Sequence, residues 1–140
     1  VFDLHVRALK NIGAYLYTGK WEEDFDDIEG IYLNSKGDFL VGTIDNKIIA
    51  MGGLRKMTDE IGEIRRMRVG PGFQRKGYGK IILDILEKKA KEIGYKILQL
   101  NTSAKQVNAQ RFFENNGYRE IKREKEGFIV DNIIYQKKIK

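Results

Sequence analysis

Cysteine is absent from the 140 residues, and histidine occurs once, at position 5. Without a thiol there are no disulfides, thiolate metal sites or cysteine nucleophiles, a usage that fits a reducing compartment and points to the cytoplasm. One histidine excludes His-rich metal centres, and because no role is assigned to His5 no histidine-based triad is expected. No metal is expected. No apolar run approaches the ~20 residues of a membrane span, and no signal-peptide pattern opens the chain, so no membrane partner is expected. The opening Val reads as a trimmed or processed start. What is present is 41% hydrophobic and 33% charged residues, the composition of a globular protein rather than a disordered one. At this length one domain, 1–140, is expected, with no linker, repeat or low-complexity tract to divide it.

The net charge of +6 is unevenly spread. Residues 1–60 carry 7 Lys or Arg against 11 Asp or Glu, and residues 61–140 carry 19 against 9. A half with an excess of +10 suggests an anionic ligand, either nucleic acid or a small polyphosphate; a solvated lysine-rich surface is the plain alternative.

Apolar spacing predicts a helix from Leu4 to Tyr17, broken at Gly19, and a second helical pattern through Ile28, Ile31 and Tyr32 after the acidic run 22–27. From Phe39 the period changes to two. Phe39 to Ile44 and Lys47 to Leu54 read as strands joined by a tight Asp45-Asn46 turn, and Ile61 to Val69 as a third. A glycine-bearing loop, residues 70–79, leads into a helix with a stripe of Tyr78, Ile82, Ile85, Leu86, Ala90 and Ile93, stopped at Gly94. Ile97 to Thr102 reads as a strand. Strand–helix–strand of this length implies a parallel pair. A short helix over Asn108 to Asn115 and a closing antiparallel pair, Tyr118 to Lys125 and Phe128 to Ile139, complete an α+β chain with a mixed sheet.

The loop carries the chemistry. Gly77 and Gly79 let backbone approach a ligand closely, and the first turn of the following helix offers unpaired N–H groups and a positive dipole end to phosphate oxygens. Arg75, Lys76 and Lys80 add charge for a pyrophosphate. It is neither a Walker A loop, since Tyr78 follows Gly77, nor a dinucleotide fingerprint, since position 82 is Ile. A glycine turn with no ligand remains open on these residues alone.

Gln74-Arg75-Lys76-Gly77-Tyr78-Gly79 resembles the (Q/R)-x-x-G-x-(G/A) signature of the GNAT superfamily of N-acetyltransferases. Ala109 to Tyr118 is similar to its A-x-x-(F/L)-Y-E-x-x-G-(F/Y) helix, about 30 residues later and in the same order. The resemblance implies a mostly antiparallel mixed sheet flanked by helices, with a splayed parallel strand pair at the acyl-donor site. The family's first strand is expected to precede Val1. The resemblance also implies transfer of an acetyl group from acetyl-CoA, bound as donor substrate, to a primary amine of a small molecule or peptide. Backbone groups of Met67, Arg68 and Val69 would pair with pantetheine, and the segment Gln74, Arg75, Lys76, Gly77, Tyr78, Gly79 and Lys80 would hold the pyrophosphate. Glu63, eleven residues before Gln74, stands where one branch of the family has its general base; a strand-pairing glutamate is the alternative.

Two residues depart from the pattern. Gln106 replaces a frequent Asn, with Asn108 nearby as helix cap or cofactor contact. Phe113 stands at the position of a Tyr that protonates the leaving thiolate. A coenzyme A-binding module with little catalysis is therefore the second reading. Tyr15, Tyr17 and Trp21 fall where the family builds its acceptor pocket, and the acidic residues 22–29 suggest attraction of a cationic amine. The basic half is assigned to coenzyme A rather than to nucleic acid, for which no binding signature is present. A homodimer stays open.

Overall fold

Strand pairing organises the chain. A computed structural model describes residues 2–6, 36–126 and 129–140, with side chains described for 36–125 and 132–140. Strands β1 (Phe2–Val6), β2 (Asp38–Ile44), β3 (Lys47–Lys56), β4 (Ile61–Val69), β5 (Ile97–Ser103), β6 (Arg119–Glu126) and β7 (Ile129–Lys138) form one sheet in the order β1-β2-β3-β4-β5-β7-β6. Helices α1 (Tyr78–Ile93) and α2 (Val107–Asn115) follow β4 and β5. Every pairing is antiparallel except β4 with β5. No helix among the described residues is long and apolar enough to cross a membrane.

The first strand corrects two expectations. Leu4 to Val6 do not begin a helix, and the sheet has an edge strand within the chain, because Phe2–Val6 pairs antiparallel with Ile44 through Leu40. Phe2, Leu4 and Val6 alternate with Asp3 and His5, a period of two that an open sheet edge can use. The rest of the expected first helix, the acidic run, the second helical pattern and Tyr15, Tyr17 and Trp21 lie outside the described residues.

The β2–β3 hairpin turns on Asp45 and Asn46, both left-handed at φ 51° and 66°, as a two-residue type I′ turn requires. Helix α1 packs Ile82, Leu83, Leu86 and Ala90 onto the sheet and stops at Gly94, whose N–H donates to the Ala90 carbonyl. Leu83, absent from the expected stripe, turns the buried arc toward itself and leaves Ile85 36% exposed.

Buried tyrosines tie the helices down. The Tyr95 hydroxyl donates to the Lys36 carbonyl at 2.6 Å, and the Tyr118 hydroxyl donates to Glu87 at 2.8 Å. The Lys137 ammonium donates to both Glu87 oxygens at 3.1 Å. Tyr135 donates to Glu114 of α2 at 2.8 Å. Burial, then the neighbouring Glu87 carboxylate, pushes the Tyr118 hydroxyl far above the usual phenol range. Burial and the bond to Glu114 push Tyr135 up to about 12. Both therefore stay protonated donors at any physiological pH.

Candidate active site

Strands β4 and β5 run parallel for only three pairs, Ile61 with Ile97, Gly62 with Leu98 and Glu63 with Gln99. Beyond Glu63 the two strands continue, to Val69 and to Ser103, with no pairing between them. The divergence has a local cause. Met51 pairs with Arg68 and Gly53 with Arg65, so Gly52 alone faces both Arg66 and Met67. Arg66 takes the left-handed φ of 58°. A bulge of this kind bends its strand and sharpens the twist, which swings the end of β4 away from β5. Glycine at 52 is required by close approach, since a Cβ there would lie 2.5 Å from Met67 Sδ and 2.7 Å from Ile82 Cγ2.

The loop begins where β4 ends. The Gly70 N–H donates to the Ile49 carbonyl at 2.7 Å, Phe73 N–H to Gly70 at 3.0 Å, and the Gln74 side-chain amide to the Val69 carbonyl at 3.2 Å. Gln74 therefore folds the loop back on the strand. Gly77, at φ 87°, is the N-cap of α1; no side chain caps it and no acidic residue sits in the first turn. The first bond across the cap runs from Ile81 N–H to the Gly77 carbonyl. The N–H groups of the first turn thus precede the helical ladder, at the positive end of the helix dipole. Arg75, Lys76 and Lys80 are exposed, and Lys80 pairs with Asp84 at 3.0 Å, so part of its charge is already answered.

Between the parted strands lies a cavity of about 600 Å³. At its closed end is Glu63, 6% exposed, the last residue of β4 paired with β5. Its Oε1 accepts from Arg55 Nε at 2.6 Å, a cross-strand neighbour, and lies 3.8 Å from Arg65 Nε. The carboxylate is thus fixed by its own sheet at the apex of the cleft, with both contacts made through one oxygen.

Gln106 also reaches the cavity, beside Thr102, whose Oγ1 is 3.4 Å from its Oε1. Gln106, not Asn108, occupies the N-cap of α2. Asn108 is the second residue of the helix and exposed, so its expected capping role is corrected: the cap lies two residues earlier, where the Gln106 N–H donates to the Ser103 carbonyl. Phe113 is 7% exposed and meets Phe112 and Tyr118 edge-on at centroid distances of 5.1 and 5.6 Å. The ring beside the first turn of α1 is Phe112, 3.6 Å from where a Gly79 Cβ would stand, and Val69 is 3.5 Å from the same point. Of the residues singled out in the sequence, Glu63, Arg68 and Gln106 line the cavity; Met67 and Val69 lie on the same strand as Arg68, and the loop from Gln74 to Gly77 and the start of α1 follow its end.

Several of these parts have no sequence signal that singles them out. The Arg66 bulge and Arg55 are examples, as is Gln110, whose side-chain amide donates to the Ser103 and Ala104 carbonyls at 3.1 Å and secures the end of β5. The register between β3 and β4 is what reveals the first two. Among the described residues no group of three or more His, Asp or Glu is placed to hold a metal ion.

Comparison with known proteins places this geometry. The chain is 27% identical over 100 residues to the N-acetylaspartate synthetase of Xenopus tropicalis, a match covering 70% of this chain but only 37% of that relative. A GNAT-family acetyltransferase structure from Staphylococcus aureus Mu50 superposes with a TM-score of 0.84 at 27% identity, covering 100% of both chains. A GNAT family acetyltransferase from Elizabethkingia anophelis, solved with acetyl-CoA bound, shares the fold with a TM-score of 0.67 at 21% identity, over 98% of this chain and 97% of that one. The profile of the Acetyltransferase (GNAT) family matches residues 6–118, a span holding the parted strands, the glycine loop and both helices. The chain belongs to the acetyltransferase (GNAT) family of acyltransferase enzymes.

Proposed function

We propose that this domain moves an acetyl group from acetyl-CoA to a primary amine of a small molecule or peptide by direct attack on the thioester. The observation that carries the reading is the position of Glu63, a buried carboxylate at the point where β4 and β5 part, with the glycine loop at the far end of the same strand. The relatives support the donor: one neighbour is solved with acetyl-CoA bound, and the Xenopus relative is named N-acetylaspartate synthetase.

The residues divide the work. The loop N–H groups and Arg75, Lys76 and Lys80 would hold the donor's pyrophosphate. The edge of β4 at Met67, Arg68 and Val69 would pair with pantetheine as a missing strand does, with Gln106 and Phe113 beside it. An alkylammonium has a pKa of about 10.4, so only about a thousandth of it is neutral at pH 7.4. Glu63, oriented by Arg55, accepts the amine proton directly or through water as the C–N bond forms. The C–S bond breaks and the thiolate leaves; a backbone N–H near Val69 would steady the oxyanion, a contribution of about 3 kcal/mol.

Calorimetry beside a thiol-release assay tests the reading. Acetyl-CoA should bind, and release of coenzyme A should depend on an added amine. Binding without turnover over a broad amine panel would favour the coenzyme A-binding module instead, the reading that Phe113 motivates.

Phe113 has no proton for the thiolate, but a thiol of pKa near 8.5 is a tolerable leaving group, so the donor is useful rather than obligatory. Phe113→Tyr is expected to raise kcat by up to about 10²-fold, the low end of general acid catalysis, with little change in acetyl-CoA affinity. Steady-state rates from pH 6 to 9 on one acceptor decide it. Identical profiles would mean that water or another group already supplies the proton.

A further inference from the structure

The cavity has two walls of different chemistry. Strand β4 contributes Glu63 and the arginines that follow it, whereas β5 and β7 contribute Asn101, Thr102, Ser103 and Asn132, all uncharged. Register sets this second wall beside the carboxylate. Gln99 pairs with Glu63, and its side-chain oxygen accepts from Gln136 at 2.7 Å. Asn101 and Ser103 follow Gln99 on the same face of β5, and Asn132 of β7 stands directly opposite Ser103. Ser103 Oγ is engaged, accepting from the Lys105 N–H at 3.2 Å. The side chains of Asn101 and Asn132 have no hydrogen-bond partner among the described residues, the first exposed and the second half-buried.

Resting on the transfer reading above, we propose that Asn101 and Asn132 determine acceptor specificity, selecting an amine with an uncharged hydrogen-bonding group, an amide or a hydroxyl, close to its nitrogen. The donor reading uses the edge of β4, which leaves the β5–β7 wall for the acceptor. Asn101 lies about 7 Å along β5 from the position opposite Glu63. With the nitrogen at Glu63, a group two or three bonds away comes level with Asn101, and a longer acceptor continues to Asn132. A carboxamide both donates and accepts, so it matches either end of an amide and either role of a hydroxyl. An acceptor seated on this wall strips water from the asparagines. One that lacks such a group leaves them unpaired, and that penalty carries most of the discrimination.

The test is coenzyme A release from acetyl-CoA by the full chain with glycinamide, ethanolamine, glycylglycinamide and propylamine, the last having no such group. Glycinamide and ethanolamine distinguish the amide from the hydroxyl. The ammonium pKa values of these amines differ, so the readout is each amine's ratio of wild type to variant. Asn101→Leu should raise the KM of glycinamide or ethanolamine about 3- to 10-fold, the worth of one hydrogen bond. Asn132→Leu should do the same for glycylglycinamide. Neither should raise the KM of propylamine or shift that of acetyl-CoA by more than about twofold. Should a leucine variant fail to fold, Asn101→Ser and Asn132→Thr shorten the reach of the same groups and should give a smaller rise in the same direction. Equal changes for propylamine and the amides overturn the inference while leaving the transfer reading intact. So does a rise in the acetyl-CoA KM in place of the acceptor KM, because the asparagines would then serve the donor. No release with any amine overturns both.

Discussion

Glu63→Gln is expected to lower kcat about 10²-fold or more while acetyl-CoA binds nearly as tightly as before. General base catalysis contributes about 10² to 10⁴ in rate, and the amide cannot take up a proton at neutral pH. The substitution keeps the size and shape of the side chain, and the amide oxygen can still accept from Arg55, now 2.6 Å from the carboxylate. The fold should therefore persist. Arg55 would lose its counter-ion, but its side chain is 35% exposed and water can reach it, so the stability cost should be only about 1 kcal/mol. The glycine loop, proposed to hold the donor, lies at the opposite end of β4, which is why donor affinity should be spared. Steady-state kinetics, acetyl-CoA calorimetry and a thermal melt on both proteins check the claim together. A loss of activity no larger than the loss of folded protein would reduce Glu63 to a strand-pairing partner of Arg55.

Gly77→Asp should abolish the thermal stabilisation that acetyl-CoA confers. At a hundred times its dissociation constant a ligand adds about 2.7 kcal/mol, which raises Tm by several degrees in a chain of this size. Gly77 has φ 87°, and nothing lies within 4 Å of a Cβ built there. The side chain therefore meets no protein atom, and its cost is the left-handed backbone, about 1 kcal/mol. A carboxylate at a helix N-terminus is itself favourable, which offsets part of that strain. The variant should fold, yet it places a negative charge where the donor's pyrophosphate would meet the α1 amides. Gly77→Ala carries the same strain without the charge and should retain most of the shift. Equal shifts in the wild type and a folded Asp variant would remove the loop from the donor site.

Much of the frame was legible from residue order alone, wherever the determinant lies within a few residues. Helix α1 runs from Tyr78 to Ile93 as its apolar spacing and Gly94 predict, and β4 spans Ile61–Val69 as read. The Asp45-Asn46 turn and the glycine loop follow the same logic, since left-handed backbone and tight turns are carried by the residues that adopt them. The edge strand β1 was not legible in this way. Leu4, Ala8 and Leu9 are spaced like a helix, and the pairing that makes Phe2–Val6 a strand comes from β2, more than thirty residues later. Nor was the Asn108 cap, because the end of β5 decides where α2 begins.

The family signature could be read from two motifs, but the form of the site could not. The strands part because Gly52 of β3 faces two residues of β4, a consequence of register that no stretch of β4 announces. Register likewise pairs Arg55 with Glu63 and places Glu63 opposite Gln99 at the last position before the cleft. Phe112, rather than Phe113, comes to lie beside the first turn of α1 because α2 is set down on the sheet by Glu114 and Tyr135. Sequence by itself determined the elements from β2 onward, their order and the glycine loop, because those depend on short-range sterics and periodicity. Only the tertiary structure decided the cleft and its buried carboxylate, because each depends on contacts between strands far apart in the chain.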